Sequence, residues 1–161
     1  MALEIERKFL VKNDAWREAV EQEWQIVQGY LATTGTLTLR VRMKEDDAYL
    51  TIKGPPHGIT RSEFEYPIPP ADAQAMLREL AILPVISKVR YRVHYGDRMW
   101  DLDVFSGSNE GLELAEIELK RADEHVSLPP WAGAEVTADP RYSNANLARH
   151  PYKDWLAGRR T

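Results

Sequence analysis

The stretch SKVRYRVHYGDRMWDLDVF, Ser87 to Phe105, alternates residue by residue. Lys88, Arg90 and Arg92 fall on one phase, with Val89, Tyr91 and Val93 on the other. Past Gly96-Asp97, Asp101 and Asp103 alternate with Trp100, Leu102 and Val104. A period of two means strands, and Gly-Asp between two such runs predicts a hairpin. The polar phase is unusual because it repeats one sign on each strand. Like charges at i and i+2 start only about 6.6 Å apart along a strand. A solvated sheet face would mix signs, since neighbouring like charges repel.

The same pattern extends outward in both directions. Leu3 to Val11 carries Glu4, Glu6 and Lys8 on its polar phase. Thr36 to Lys44 carries Arg40, Arg42 and Lys44, and Tyr49 to Lys53 carries Thr51 and Lys53. Arg61 to Ile68 adds Arg61, Glu63 and Glu65, and Leu112 to Lys120 adds Glu116, Glu118 and Lys120. Ile26 to Leu31 completes eight predicted strands. The opposite phase is apolar almost throughout, for example Leu39, Val41 and Met43, or Ala115, Ile117 and Leu119. Helices are predicted over Ala15 to Trp24, behind Asn13-Asp14, and over Ala71 to Ile82, behind Pro69-Pro70. Short helices are expected around Pro129-Pro130-Trp131 and Ala145 to Trp155. The reading is α+β: one domain over residues 1–161, built as an eight-stranded closed antiparallel β-barrel. Its charged side faces inward as a tunnel and its apolar side lies beneath covering helices.

Composition narrows the chemistry. The 161 residues include no cysteine, so disulfides, thiolate catalysis and Cys-bound zinc are excluded. The net charge of −4 disfavours broad nucleic-acid or acidic-membrane binding. No apolar run is long enough to span a bilayer, and the charged N-terminus is no secretory signal, so a cytoplasmic protein is expected. His57, His94, His125 and His150 are scattered without ligand spacing, and Trp16, Trp24, Trp100, Trp131 and Trp155 read as packing residues. There is no Gly-x-x-x-x-Gly-Lys phosphate loop. An acidic cluster asks for a hard divalent cation and a basic cluster for a polyanion. A barrel lined by both, in comparable numbers, suits a metal-chelated polyphosphate.

The residues at this point resemble a known family. Glu4-Ile5-Glu6-Arg7-Lys8 is the Glu-x-Glu-x-Lys signature of the CYTH superfamily, the triphosphate tunnel metalloenzymes. LRVR (Leu39 to Arg42), TIKG (Thr51 to Gly54), RSEFEYPI (Arg61 to Ile68) and KVRYRV (Lys88 to Val93) follow in family order. So do WDLDVF (Trp100 to Phe105), LAEIEL (Leu114 to Leu119) and EVTADPRYSNANLA (Glu135 to Ala148). The short length and the tail are similar to those of compact single-domain bacterial members. The resemblance implies an eight-stranded tunnel that binds a triphosphate with Mg²⁺ or Mn²⁺ and hydrolyses it by a metal-activated water. Inorganic tripolyphosphate is the expected substrate.

The resemblance also implies roles. Glu4 and Glu6 with Glu116 and Glu118 are expected around the metal, with Glu63 and Asp103 as further ligands or supports. Arg40, Arg42, Lys53, Lys88, Arg90 and Arg92 are expected to grip phosphate oxygens. Lys8, held protonated by its acidic neighbours, is expected to stabilise charge on the transferring or leaving phosphate, and Tyr30 to orient substrate. Arg141, Tyr142, Asn144 and Asn146 are expected to close one tunnel end. The alternatives are a nucleotide- or thiamine-triphosphatase or a class IV-type adenylyl cyclase on the same fold, or a non-catalytic polyphosphate-binding module. The expected partner is a small-molecule triphosphate, with no nucleic acid and no membrane.

Overall fold

The computed structural model describes residues 3–158, with side chains to Trp155. Nine strands follow in chain order: β1 (Leu3–Val11), β2 (Val20–Thr34), β3 (Leu37–Lys44), β4 (Asp47–Lys53), β5 (Thr60–Ile68), β6 (Ile86–Tyr95), β7 (Arg98–Phe105), β8 (Glu113–Glu118) and β9 (Ala132–Glu135). Helix α1 is Pro70–Glu79, α2 is Asn144–Arg149 and α3 is Tyr152–Gly158. All strand pairings are antiparallel. The order β5-β4-β3-β2-β6-β7-β8-β1 closes on itself through a short β1–β5 pairing, Leu3↔Ser62 to Ile5↔Thr60. Eight strands therefore form a closed barrel. The ninth, β9, takes the edge of β1 where β5 leaves it, with Phe9 opposite Glu135 and Val11 opposite Ala132.

The barrel is inverted, with its apolar cores outside the wall. Trp16, Trp100, Trp131, Phe9, Leu102 and Ile117 form one buried cluster on the outer face of β1, β7 and β8. Helix α1 covers another part of the wall, packing Ala73, Met76 and Leu77 on Val41, Ala48 and Leu50. Gly29 allows that approach, because a Cβ there would lie 2.7 Å from Leu77 Cδ2. A third cluster, with Tyr30, Phe105, Leu114, Tyr142 and Leu147, plugs one end of the barrel. The predicted hairpin is present, and Gly96 supplies the positive φ of 63° that a two-residue turn needs.

Two predicted elements are corrected. Ala15 to Trp24 is not a helix: a 3-10 turn covers Ala15–Ala19, and β2 begins at Val20. The residues are good helix formers, but β6 needs a neighbour over its whole length. Val20 to Gln28 supply it, running from Val20↔Val93 to Gln28↔Ile86. Pairing that backbone outweighs a propensity of a few tenths of a kcal/mol per residue. The expected helix around Trp131 is instead a turn at Pro130-Trp131 leading into β9, whose pairing with β1 fills an otherwise open edge. Helix α1 stops at Glu79, short of the predicted Ile82, whose N–H is used by the Tyr30 carbonyl at 2.9 Å.

Candidate active site

Register decides what each inward side chain meets. Arg90 lies opposite Asp103 and Arg92 opposite Asp101 across β6–β7. Glu6 lies opposite Glu118 and Lys8 opposite Glu116 across β1–β8. On β2, Trp24, Ile26, Gln28 and Tyr30 face the same side as their partners Arg90, Lys88, Arg42 and Arg40. Reading around the barrel, the basic strands β3 and β6 flank a neutral β2, the mainly acidic β7, β8, β1 and β5 follow, and β4, with Thr51 and Lys53, completes the circle between β5 and β3. The charged residues picked out by alternation converge inside one wall, except Lys120, which lies exposed in a bend beyond the end of β8.

Burial is graded along the barrel. Lys88 and Asp103 are fully enclosed, whereas Arg92 is 39% and Asp101 33% exposed, and Glu118 is exposed. The enclosed end is sealed by the tail. Lys8 Nζ donates to the Tyr142 carbonyl at 3.3 Å, and Lys88 Nζ to Asn144 Oδ1 at 3.4 Å. A cavity of about 580 Å³ opens alongside, lined by Glu4, Glu6, Lys8, Arg40 and Lys53, with Tyr30 in its wall. That volume falls in the range of small-molecule sites.

Part of the charge is cancelled internally. Asp103 accepts from Lys88 Nζ at 2.7 Å and from Arg90 Nε and Nη2 at 2.7 and 2.9 Å. Burial alone would raise its pKa, but Arg90 and Lys88 outweigh that and hold it far below the usual carboxylate range. Glu116 is likewise held down to about 2: Lys8 and Arg90, at 3.6 and 3.5 Å, overcome its burial. Lys8 is raised in turn, because Glu116, Glu6, Glu4 and Asp103 outweigh its own desolvation. Lys53 bridges Glu4 at 2.9 Å and Glu63 at 3.3 Å.

Part of the charge is not cancelled. Glu6 has no salt bridge among the described residues. Burial, then Glu116 and Glu4, push its carboxyl up to about 8. Glu4 is raised by burial and by Glu63 despite Lys53, and Glu118 is raised by burial, Glu4 and Asp101. Arg42 has no carboxylate within 4 Å among the described residues; its Nε donates to Gln28 Oε1 at 2.8 Å. The barrel thus crowds carboxyl groups around Glu6, where ionisation is disfavoured without a cation, and leaves unmet positive charge at Arg42.

A hard divalent cation takes six or more oxygen ligands. Among the described residues no three carboxylates gather tightly enough to hold an ion. The donor chemistry nevertheless fits one: Glu4, Glu6 and Glu118 are oxygen donors whose crowding would be relieved by a cation. Asp103 is different, because Lys88 and Arg90 already occupy both its oxygens.

Some inward residues escaped the sequence reading. Trp24 is one, a tryptophan expected only to pack on a helix. Lys44 Nζ sits 3.9 Å from its ring centroid and Arg92 Cζ 5.2 Å away, so it braces two cations toward the open end. Its alternation with Ile26, Gln28 and Tyr30 was the available signal, masked by the helix-forming residues before it. Gln28 is another, fully buried in the wall as is Thr51, whose inward phase was expected.

Similarity to known proteins agrees with this geometry. The sequence profile of the CYTH domain matches residues 2–152. An inorganic triphosphatase of Acetivibrio thermocellus is 43% identical over 155 residues, covering 96% of this chain and 99% of that protein. An inorganic triphosphatase of Nitrosomonas europaea is 37% identical over 151 residues, covering 90% and 96%. The crystal structure of the inorganic triphosphatase NE1496 superposes with a TM-score of 0.65 at 35% identity, covering 89% of this chain and 96% of that one.

Proposed function

Because this chain belongs to the CYTH domain family, we propose that it hydrolyses a triphosphate inside its barrel, with inorganic tripolyphosphate as the preferred substrate and Mg²⁺ or Mn²⁺ required. The observation that carries the reading is the presence, in one enclosed wall, of two groups with no partner of opposite sign within 4 Å among the described residues: Glu6, crowded by Glu4 and Glu116, and Arg42, beside Arg40. Neither half is electrostatically complete without a ligand of opposite sign. A triphosphate chelated to a cation supplies both signs together.

Phosphoryl transfer asks the protein mainly for positioning and charge neutralisation. Arg40, Arg42, Arg90 and Arg92 bind phosphate oxygens, with Lys53 and Lys88 as further cations held on Glu4 and Asp103. Tyr30 in the cavity wall orients the substrate. Lys8 keeps its proton beside Glu116 and offers it as a hydrogen bond to an oxygen of the leaving phosphate. Glu4, Glu6, Glu116 and Glu118, supported by Glu63, would hold the cation. Asp103 serves this site by fixing Lys88 and Arg90. A bound Mg²⁺ or Mn²⁺ supplies charge neutralisation and a more acidic water. A cytoplasmic location fits a cysteine-free chain. No helix among the described residues is long and apolar enough to cross a membrane.

The test is phosphate release by metal-stripped protein given tripolyphosphate, pyrophosphate, ATP or thiamine triphosphate, with and without Mg²⁺ or Mn²⁺. Release from tripolyphosphate that stops with a chelator and returns with metal is the expected result. Release from ATP or thiamine triphosphate in preference would move the substrate to those classes, and tight binding without release would make the barrel a binding module. Lys8→Ala and Glu118→Ala should abolish turnover in folded protein; unchanged rates would remove them from the mechanism.

A further inference from the structure

Gln28 and Thr51 flank the arginines of β3 from opposite sides. Register sets Gln28 on β2 against Arg42, and Thr51 on β4 against Arg40. Arg42 Nε donates to Gln28 Oε1 at 2.8 Å, and Arg40 Nη2 donates to Thr51 Oγ1 at 3.3 Å. A guanidinium can only donate, so the Gln28 amide must turn its carbonyl toward Arg42. Its Nε2 is then left with no partner, although the residue is fully buried.

An unpaired buried amide is unfavourable, and glutamate at this position would remove it while pairing with Arg42 directly. Elsewhere in the barrel that is the solution used. Lys8, Lys53, Lys88 and Arg90 each have a carboxylate within 4 Å. Arg40 is a partial exception that makes the same point. Its nearest carboxylate, Glu65, is 3.9 Å away, and Thr51 donates to that carboxylate at 2.9 Å. Thr51 therefore stands between the cation and the anion. Burial, with Arg40 and Arg90 nearby, pulls Arg42 down to about 9, which still leaves it charged at neutral pH.

We propose that Gln28 and Thr51 are positioning residues: they aim Arg42 and Arg40 through neutral acceptors, so that these two guanidiniums keep their net charge for the polyphosphate. The inference rests on the triphosphate reading above and adds how two of its anion contacts are kept open. A neutral acceptor orients a guanidinium and leaves its charge uncompensated, whereas a carboxylate would orient it and offset that charge.

Three variants of the full chain test this: Gln28→Glu, Gln28→Met and Thr51→Val. KM and kcat are measured with tripolyphosphate and Mg²⁺, tripolyphosphate binding is measured by calorimetry in chelator, and Tm is measured on metal-free protein. Gln28→Glu should raise KM and the metal-free Kd about tenfold or more, while raising Tm, because Arg42 gains a partner. Gln28→Met should raise KM a few-fold without raising Tm, and Thr51→Val should do likewise. If Gln28→Glu binds tripolyphosphate like the natural protein, or if all three variants lower Tm and kcat together with KM unchanged, the positioning role is overturned. Should the natural protein bind tripolyphosphate without turning it over, the catalytic reading fails while the binding comparison still decides this one. Should it bind none, both fail.

Discussion

Two neighbouring parts of the same barrel wall use their charges in opposite ways. Across β6–β7, cation faces anion: Arg90 lies opposite Asp103 and Arg92 opposite Asp101. Across β1–β8, Glu6 lies opposite Glu118, and only the next pair, Lys8 and Glu116, is of mixed sign. Along each strand the pattern looks the same, with like charges at alternate positions. The difference lies across the strands. β6 and β7 largely offset one another, three cations against two carboxylates, so every cation there has a carboxylate within 4 Å. Around Glu6 the fold leaves a repulsion that something else must relieve. Buried charge of the first kind is largely met inside the wall, and buried charge of the second kind is left for a ligand to meet.

Breaking the neutralised side should produce the largest effect. Asp103→Asn would leave Lys88 and Arg90 buried without their common anion, and a broken buried pair costs about 3–5 kcal/mol. Denaturant unfolding of the metal-free protein should show that loss; an unshifted midpoint would mean that β6–β7 is not held by Asp103. On the other side, Glu6→Gln should act in two directions. Turnover should fall at least about 100-fold, the scale on which residues merely supporting a metal already matter. Metal-free stability should rise. The folded pKa of Glu6, about 8, lies above its ordinary 4.5, so the fold favours the neutral acid. The stability Glu6 contributes is complete below pH 4.5 and is lost as pH climbs through about 8. Glutamine does not titrate, so the variant's advantage should grow by about 1.4 kcal/mol per pH unit between those limits. Melting curves across that range check the slope, and a pH-independent difference would remove the comparison between Asp103 and Glu6.

Smaller effects sharpen the boundary of the site. Trp24→Leu releases Lys44 and Arg92 at the open end, and each cation–π contact is worth about 0.5–1 kcal/mol. KM for tripolyphosphate should rise about two- to fivefold with kcat little changed; an unaltered KM would return Trp24 to packing. Arg7 lies outside the barrel, paired with Glu135 at 2.7 Å and partly exposed. Arg7→Met should shift stability by about 1 kcal/mol or less and leave turnover as it was. A large loss of turnover would mean that the site extends beyond the inner wall.

Most of the wall was legible because a strand exposes its two faces at alternate residues. Arg40, Arg42, Glu116, Glu118 and the β6–β7 hairpin all followed from a period of two, and the sign repetition pointed inward. Val20 to Trp24 was not legible. Its local preference is helical, and only the unpaired edge of β6 makes it a strand. That error hid Trp24 and shortened β2. Gln28 was overlooked, and Thr51 was placed on the inward phase without a role, for another reason: a neutral residue carries no charge pattern, and its role depends on the arginine beside it.

Alternation in the chain itself determined that charged and apolar residues would part to opposite faces, and hence that the barrel would be turned inside out. It determined too that β3 and β6 would carry only bases inward and β7 only acids, while β1 and β5 would mix the two. Closure decided the rest. Which strands became neighbours, and in what register, set Asp103 between two cations and Glu6 beside another glutamate. The physical reason is range: a backbone period acts over a few residues, whereas the pKa and availability of a buried charge depend on side chains within a few ångströms that come from distant parts of the chain.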